Sequence, residues 1–350
     1  MPETMRDSAI ATHVLVRVGE LTNRTFVLPV VIFFPTSRCN SRCVSCDWWK
    51  QSGADDLTLD EIERVADALP ALGTRVVAFS GGEPLLRPEV FDAASLFRAR
   101  GLTLQLLTSG VLLERFAARV AENFTRVYVS IDAADEALYE RVRGVNALAT
   151  VARGIGRLRD AAPEMPIVAR ATLHRANFRE LPRLIEYAMT VRVDGISFLP
   201  ADVSSMAFGR DRRPDPDALA LTAGEVDELR HIVDRTIAIY QDAFASRFVL
   251  ESPDKLRRLP EYYAALLGRG PFPPVRCNTP WVSVVVEANG AVRPCFFHDP
   301  VGNIRLTPFE TIVRRNLPAF RASLDVATDP TCTRCVCALK TTWRNAPWIG

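Results

Sequence analysis

The chain has 350 residues, 48% of them hydrophobic and 24% charged, ordinary values for a globular protein with room for one large domain and a small one. Its 43 basic and 41 acidic residues leave a net charge of +2 with no block of one sign, so nothing draws it electrostatically to nucleic acid. The longest apolar run, at 26–34, is broken by Pro29 and cannot span a bilayer, and the N-terminus lacks an apolar signal core. A cytoplasmic protein with no nucleic-acid or membrane partner is expected.

Residues 1–28 read as an N-terminal extension. Between 29 and 200, β-rich runs at 30–34, 76–79, 103–107, 126–131, 167–173 and 195–199 alternate with helical patterns at 58–69, 89–100, 111–122, 147–160 and 178–190. The first helix opens with Thr58 three residues before Glu61, the spacing of a capping box. Six strands at this rhythm predict a parallel α/β sheet, which right-handed crossovers would curl into a partial, TIM-like (β/α)6 barrel. After Pro200 the rhythm changes. A loop rich in Asp, Arg and Pro (201–218), a long helix over 222–245, another over 254–268 and a turn-rich stretch at 268–275 make 201–275 a helical linker region. In the last segment, 276–350, the stretch 281–295 reads as a hairpin, because Asn289-Gly290 suits a type I′ turn, and a helix near 308–322 follows.

The eight cysteines fall into two groups, three within 39–46 and five within 277–337. In a cytoplasmic chain such clusters point to metal chemistry rather than disulfides. The first group, PTSRCNSRCVSCDWW, holds Cys39, Cys43 and Cys46 on one loop directly after the first strand. Zinc would want a fourth ligand nearby, and none suits: His13 lies upstream in another segment, and Asp47 adjoins Cys46 awkwardly. Three thiolates instead suit a [4Fe–4S] cluster with one iron left open.

This C-x3-C-x2-C loop resembles the signature of the radical S-adenosylmethionine (SAM) superfamily. The resemblance covers about 29–200 and implies that Cys39, Cys43 and Cys46 hold a catalytic [4Fe–4S] cluster. Its open iron would chelate SAM, and an electron supplied by a donor such as flavodoxin or ferredoxin would cleave SAM to methionine and a 5′-deoxyadenosyl radical. The family commonly has an aromatic residue before the third cysteine; here it is Ser45, and Trp48 and Trp49 are the candidates for the missing apolar wall. In the turn FSGGEP, Gly81 and Gly82 before Pro84 would let backbone approach SAM and Glu83 would place an acceptor there, since in the family this motif receives the SAM amino group. Thr108, in LLTSG, ends the third strand as a contact or as an ordinary turn. Ser130 and Asp132 share a strand face; Ser130 resembles the ribose-binding residue, while Asp132 is either functional or a helix cap. Arg170, amid apolar neighbours, resembles the arginine that pairs with the SAM carboxylate, and Leu199 would lie near the adenine. These positions all fall at the C-terminal ends of strands, the usual site face of α/β barrels.

The second group resembles the C-terminal SPASM/twitch extension of radical SAM enzymes, similar to that of 2-deoxy-scyllo-inosamine dehydrogenase-type enzymes. Five cysteines suffice for one auxiliary [4Fe–4S] cluster, and the resemblance implies Cys277, Cys295, Cys332 and Cys335 as its ligands, a small iron–sulfur (twitch) domain. Cys337 is left to replace Cys335, to donate a hydrogen atom or to pack as a small apolar residue. A zinc knuckle is the bland alternative. His298, Asp299, Trp343 and Trp348 lie close in sequence and are not given catalytic roles.

The chemistry expected is an oxidoreductase reaction, a two-electron oxidation of a small molecule such as a sugar or aminocyclitol. The alternative is a maturase acting on a ribosomally made peptide; only about 28 residues precede the first barrel strand, which leaves no space for the leader-binding domain such maturases often carry. A non-catalytic iron–sulfur or zinc scaffold is the alternative from another class.

Overall fold

The computed structural model describes residues 3–342, with side chains from residue 10 onward. Helix α1 (Glu3–Thr22) precedes β1 (Val30–Phe33). Then follow α2 (Leu59–Ala68), β2 (Val76–Phe79), α3 (Val90–Arg98), β3 (Thr103–Thr108), α4 (Leu113–Asn123), β4 (Arg126–Ser130), α5 (Glu136–Arg143), α6 (Leu148–Ala161), β5 (Ile167–Leu173), α7 (Leu181–Thr190) and β6 (Gly195–Pro200). The six strands pair in parallel in chain order, as the alternating pattern predicts. The capping box at α2 forms, with Thr58 and Glu61 each satisfying the other's backbone N–H.

Two of the helices that precede β6 escape the sequence reading. Helix α1 lies within the expected extension; Val16 packs with Val27, Val30, Val76 and Val282, while Ile10, Val14, Val18 and Leu21 stay exposed. Apolar residues on both faces blur the 3.6-residue period. Helix α5 is short and mostly polar, and Asp135 caps it by accepting the Leu138 N–H.

Alternation along the strands separates two environments. One face, including Val31, Phe33, Val77, Phe79, Leu104, Leu106, Val127 and Val129, packs into the main core beneath the helices. The opposite face, with Ile32, Arg170 and Leu199, lines the concave side.

The region 201–275 is helical but packed. It holds α8 (Pro216–Leu219), α9 (Ala223–Ile239), α10 (Gln241–Ala245) and α11 (Pro253–Leu266). The single helix expected over 222–245 breaks at Tyr240, whose hydroxyl donates to Glu186 on α7. Val249 forms a parallel bridge to Ile196 and covers part of the β6 edge.

The last segment begins with α12 (Thr279–Val282) and continues into β7 (Ser283–Val286), β8 (Ala291–Arg293) and β9 (Gly302–Asn303). Strand β7 pairs in parallel with β1, Val30 opposite Ser283 and Phe33 opposite Val286. The sheet order is β6-β5-β4-β3-β2-β1-β7-β8-β9, so this segment extends the barrel's own sheet instead of standing apart. The hairpin turn is not type I′. The Glu287 N–H donates to the Ala291 carbonyl, the Gly290 N–H donates back to Glu287, and Gly290 alone takes a positive φ (84°). This is a three-residue loop with glycine in the left-handed position. The helix expected near 308–322 is divided into α13 (Phe309–Thr311), a wide π turn (Ile312–Asn316) and α14 (Leu317–Ser323), because Pro318 has no N–H to continue the α pattern. Helix α15 (Pro330–Thr333) carries Cys332. Among the described residues, no helix is long and apolar enough to cross a membrane.

Candidate active site

A cavity of about 240 Å³ opens at the C-terminal ends of the parallel strands. Cys39, Cys43 and Cys46 reach it from the loop after β1, Gly81 and Gly82 from the turn after β2, Thr108 from β3, Ser130 from β4, Arg170 from β5 and Leu199 from β6. Residues spread over 160 positions of sequence thus meet at one point, on the site face of the barrel.

The cysteine loop is clamped from three sides. Its Arg42 and Val44 N–H groups donate to the Arg143 and Val142 carbonyls at the end of α5 (2.8 and 3.0 Å). Arg210 Nη2 donates to the Ser45 carbonyl (2.7 Å), and the Cys46 thiol donates to the Phe208 carbonyl (3.5 Å). The Glu83 N–H donates to the Arg38 carbonyl (2.8 Å). That last contact revises the reading of FSGGEP. A Cβ on Gly82 would stand 2.0 Å from the Arg38 carbonyl oxygen, so what comes close to this glycine is the cysteine loop itself. Glu83 is fully buried and, with Pro84, does not line the cavity. Its carboxylate accepts from Thr108 Oγ1 (2.8 Å), the Ser109 N–H (2.6 Å) and the Leu85 N–H (3.1 Å). Glu83 therefore ties the end of β2 to the end of β3, and the hydroxyl of Thr108 is committed to it.

Buried charges surround the loop, and of these the sequence singled out Asp132 but not Arg143, Asp202 or Arg210. Asp132 forms a buried ion pair with Arg143 (2.9 Å) and accepts the Thr172 N–H (2.7 Å), so it is a counter-ion and strand brace rather than the cap of α5. Burial works against the charge of Arg143, but Cys43 and Asp132 outweigh it and hold its pKa above the ordinary arginine value. A second buried pair, Asp202–Arg210 (2.6 Å), backs the loop from the 201–210 segment. Burial pushes all three thiols up, Cys39 to about 11 and Cys46 to about 12. Buried thiols of this kind become thiolates when a cation shares them, and with Arg143 and Arg210 behind the loop the set fits an iron–sulfur cluster. Asp47 is paired to Lys50 (2.9 Å) and takes no part.

Arg170 stands over the Tyr128 ring (5.5 Å), its Nε buried without a hydrogen-bond partner and with no ion pair among the described residues. An arginine in that state fits an absent anion. Trp48 lines the cavity, edge-on to Phe34 (5.6 Å), which stacks on Phe296 (6.1 Å). Trp49 points to solvent between Arg42 and Lys50. From the hairpin, Glu287 and Arg293 pair across the far wall (2.8 Å). Burial lifts the Glu287 carboxyl above its ordinary value, and Arg293 offsets this only in part. Val285 and Glu287 share one face of the hairpin strand, a period-two signal legible in the sequence once its register with β1 is known.

A second cavity of about 340 Å³ is lined by Cys277, Cys295, Cys332, Cys335 and Cys337 together. Arg170, Leu199, Pro200, Phe296, Val336 and Cys337 line both cavities, so they form the partition between the two cysteine groups. Burial raises the pKa of Cys295, to about 11, and of Cys332, Cys335 and Cys337. Five thiols around one apolar cavity fit an auxiliary cluster. His298 also faces it, with Nε2 3.4 Å from Cys332 Sγ, whereas Asp299 is exposed. Trp343 and Trp348 lie outside the described residues.

Residues 33–188 match the radical SAM superfamily, and residues 277–336 match SPASM, an iron–sulfur cluster-binding domain. The chain is 26% identical over 315 residues to PqqA peptide cyclase of Rhodopseudomonas palustris, covering 87% of this chain and 74% of that protein. It is 25% identical over 313 residues to Fe-coproporphyrin III synthase of Methanosarcina barkeri, covering 81% and 73%. Its fold is similar to that of Streptococcus suis SuiB, solved bound to SAM, with a TM-score of 0.63 at 12% identity over 92% of this chain and 75% of SuiB. The chain carries a radical SAM domain, a family built on [4Fe–4S] clusters and SAM, and a C-terminal SPASM domain joined to it through the sheet.

Proposed function

We propose that this chain is a maturase that modifies a peptide, in place of the small-molecule oxidation expected from its sequence. The observation that carries this is the similarity to PqqA peptide cyclase, which at 87% of the chain is too long to be confined to the barrel. SuiB has also been solved with its precursor peptide SuiA bound. The similarity to Fe-coproporphyrin III synthase, almost as long, keeps a small-molecule substrate as the second reading.

When bound, the N-terminal cluster and SAM supply the carbon radical that removes a hydrogen atom from the substrate. In this proposal Cys39, Cys43 and Cys46 hold that cluster. The cavity-lining backbone at Gly81 and Gly82 takes the SAM amino group, Arg170 its carboxylate, Ser130 its ribose and Leu199 its adenine. Glu83 and Thr108 brace the turn from behind. Phe34, Trp48 and Phe296 keep water from the reacting carbon. The Glu287–Arg293 pair presents polar groups to the substrate from the far wall. Cys277, Cys295, Cys332 and Cys335 hold the auxiliary cluster.

Co-expression with any short reading frames found beside its gene, followed by anaerobic incubation with SAM and dithionite and mass spectrometry, tests the reading. One peptide is expected to change mass by a loss of hydrogen, with 5′-deoxyadenosine released in step. Unchanged peptides, together with 5′-deoxyadenosine release driven by a sugar, aminocyclitol or porphyrin, would return the small molecule as substrate.

A further inference from the structure

We infer that the His298 imidazole donates an N–H···S hydrogen bond to Cys332 and so sets the reduction potential of the auxiliary cluster. The inference rests on the proposed role of Cys332 as a ligand to that cluster.

His298 Nε2 lies 3.4 Å from Cys332 Sγ and 3.6 Å from an Asp329 carboxylate oxygen, and these three atoms fall within 4.8 Å of one another. Such a trio could hold a single metal ion, but Asp329 is already committed. Its Oδ1 accepts the Thr331 and Cys332 N–H groups, 2.9 Å each, as the cap of α15. A ring nitrogen whose polar neighbours among the described residues are a sulfur and a carboxylate oxygen carries its proton toward them. The separation also suits a donor to a thiolate, since ligands to different irons of one cluster are held apart by the cluster. His298 is fixed from behind: Arg293 Nη1 donates to its carbonyl (3.0 Å), and the Phe320 ring meets the imidazole edge-on at 5.0 Å. A donor to a cluster sulfur stabilises the reduced, more negative state and raises the potential.

The test uses the full chain with Cys39, Cys43 and Cys46 replaced by Ala, which leaves the auxiliary cluster as the iron–sulfur signal. Its midpoint potential is followed by electron paramagnetic resonance in this parent and after His298→Leu or His298→Gln. Leu is expected to shift the potential downward with iron content unchanged, and Gln, which keeps an N–H donor, to recover part of the shift. Equal potentials in all three overturn the inference. So does loss of iron from both variants, or a strongly coupled histidine nitrogen in pulsed spectra of the parent, either of which makes His298 a ligand. Zinc or no cluster in the parent defeats the ligand assignment of Cys332 itself and is distinguished by metal analysis before any variant is compared.

Discussion

Cys43 sits where two requirements meet: its sulfur faces the cavity, and its neighbours Arg42 and Val44 are bonded to the end of α5. Replacing it by Ala leaves the backbone clamp in place and removes one of three thiolates. SAM cleavage, read as 5′-deoxyadenosine release under dithionite, is expected to vanish while the circular dichroism of the fold is kept. Arg143 is the opposite case, a charge whose first effect is on stability. Arg143→Met leaves Asp132 buried without its partner and should cost about 3–5 kcal/mol, measured by denaturant unfolding. A loss under 1 kcal/mol would show that water reaches Asp132. The spacing of the three cysteines is chemistry written locally, and so they were legible as a set. Arg143, Asp202 and Arg210 were not, because their partners arrive from other elements and nothing in an isolated VRG or GRD string distinguishes a buried arginine from a surface one.

Helix α2 and the loop after β9 are linked by an ion pair that also strengthens the helix cap. Arg305 Nε donates to Glu61 (2.7 Å), and Glu61 closes the capping box with Thr58. The bond to Arg305 is the main cause that draws the Glu61 carboxyl from about 4.5 down to about 2. A depressed carboxylate adds stability that is complete above its unfolded value and is lost as pH falls through the folded one. Glu61→Gln should therefore lower stability by about 1 kcal/mol at pH 7, and the gap to the native chain should close between pH 4.5 and 2 in thermal melts across that range. A gap independent of pH would assign the effect to the cap alone. At this scale the periodic helices and strands of the barrel were readable, with ends within a few residues. What escaped were α1, with apolar residues on both faces, α5, too short to show a period, and the π turn ahead of Pro318.

The sheet makes barrel and C-terminal segment one body, because β7 covers the β1 edge along its whole length. A chain ending at residue 275 would expose the backbone of Val30–Phe33 and strip the core of Val284 and Val286. It is expected to aggregate where the full chain does not, as an unpaired parallel edge does. Gel filtration of the two chains decides it, and a monodisperse short chain would show that the barrel stands without β7.

Composition, strand rhythm and cysteine spacing by themselves determined the parallel α/β barrel and the division of the cysteines into two groups, because hydrophobic period and cysteine spacing are properties of neighbouring residues. Tertiary structure decided that the two cysteine groups share a partition, that Glu83 braces the turn from behind, and that the hairpin brings Glu287 and Arg293 to the far wall. Each of these depends on which strand lies beside which, and the parallel pairing of β1 with β7 joins residues some 250 positions apart, a distance over which no local pattern carries information.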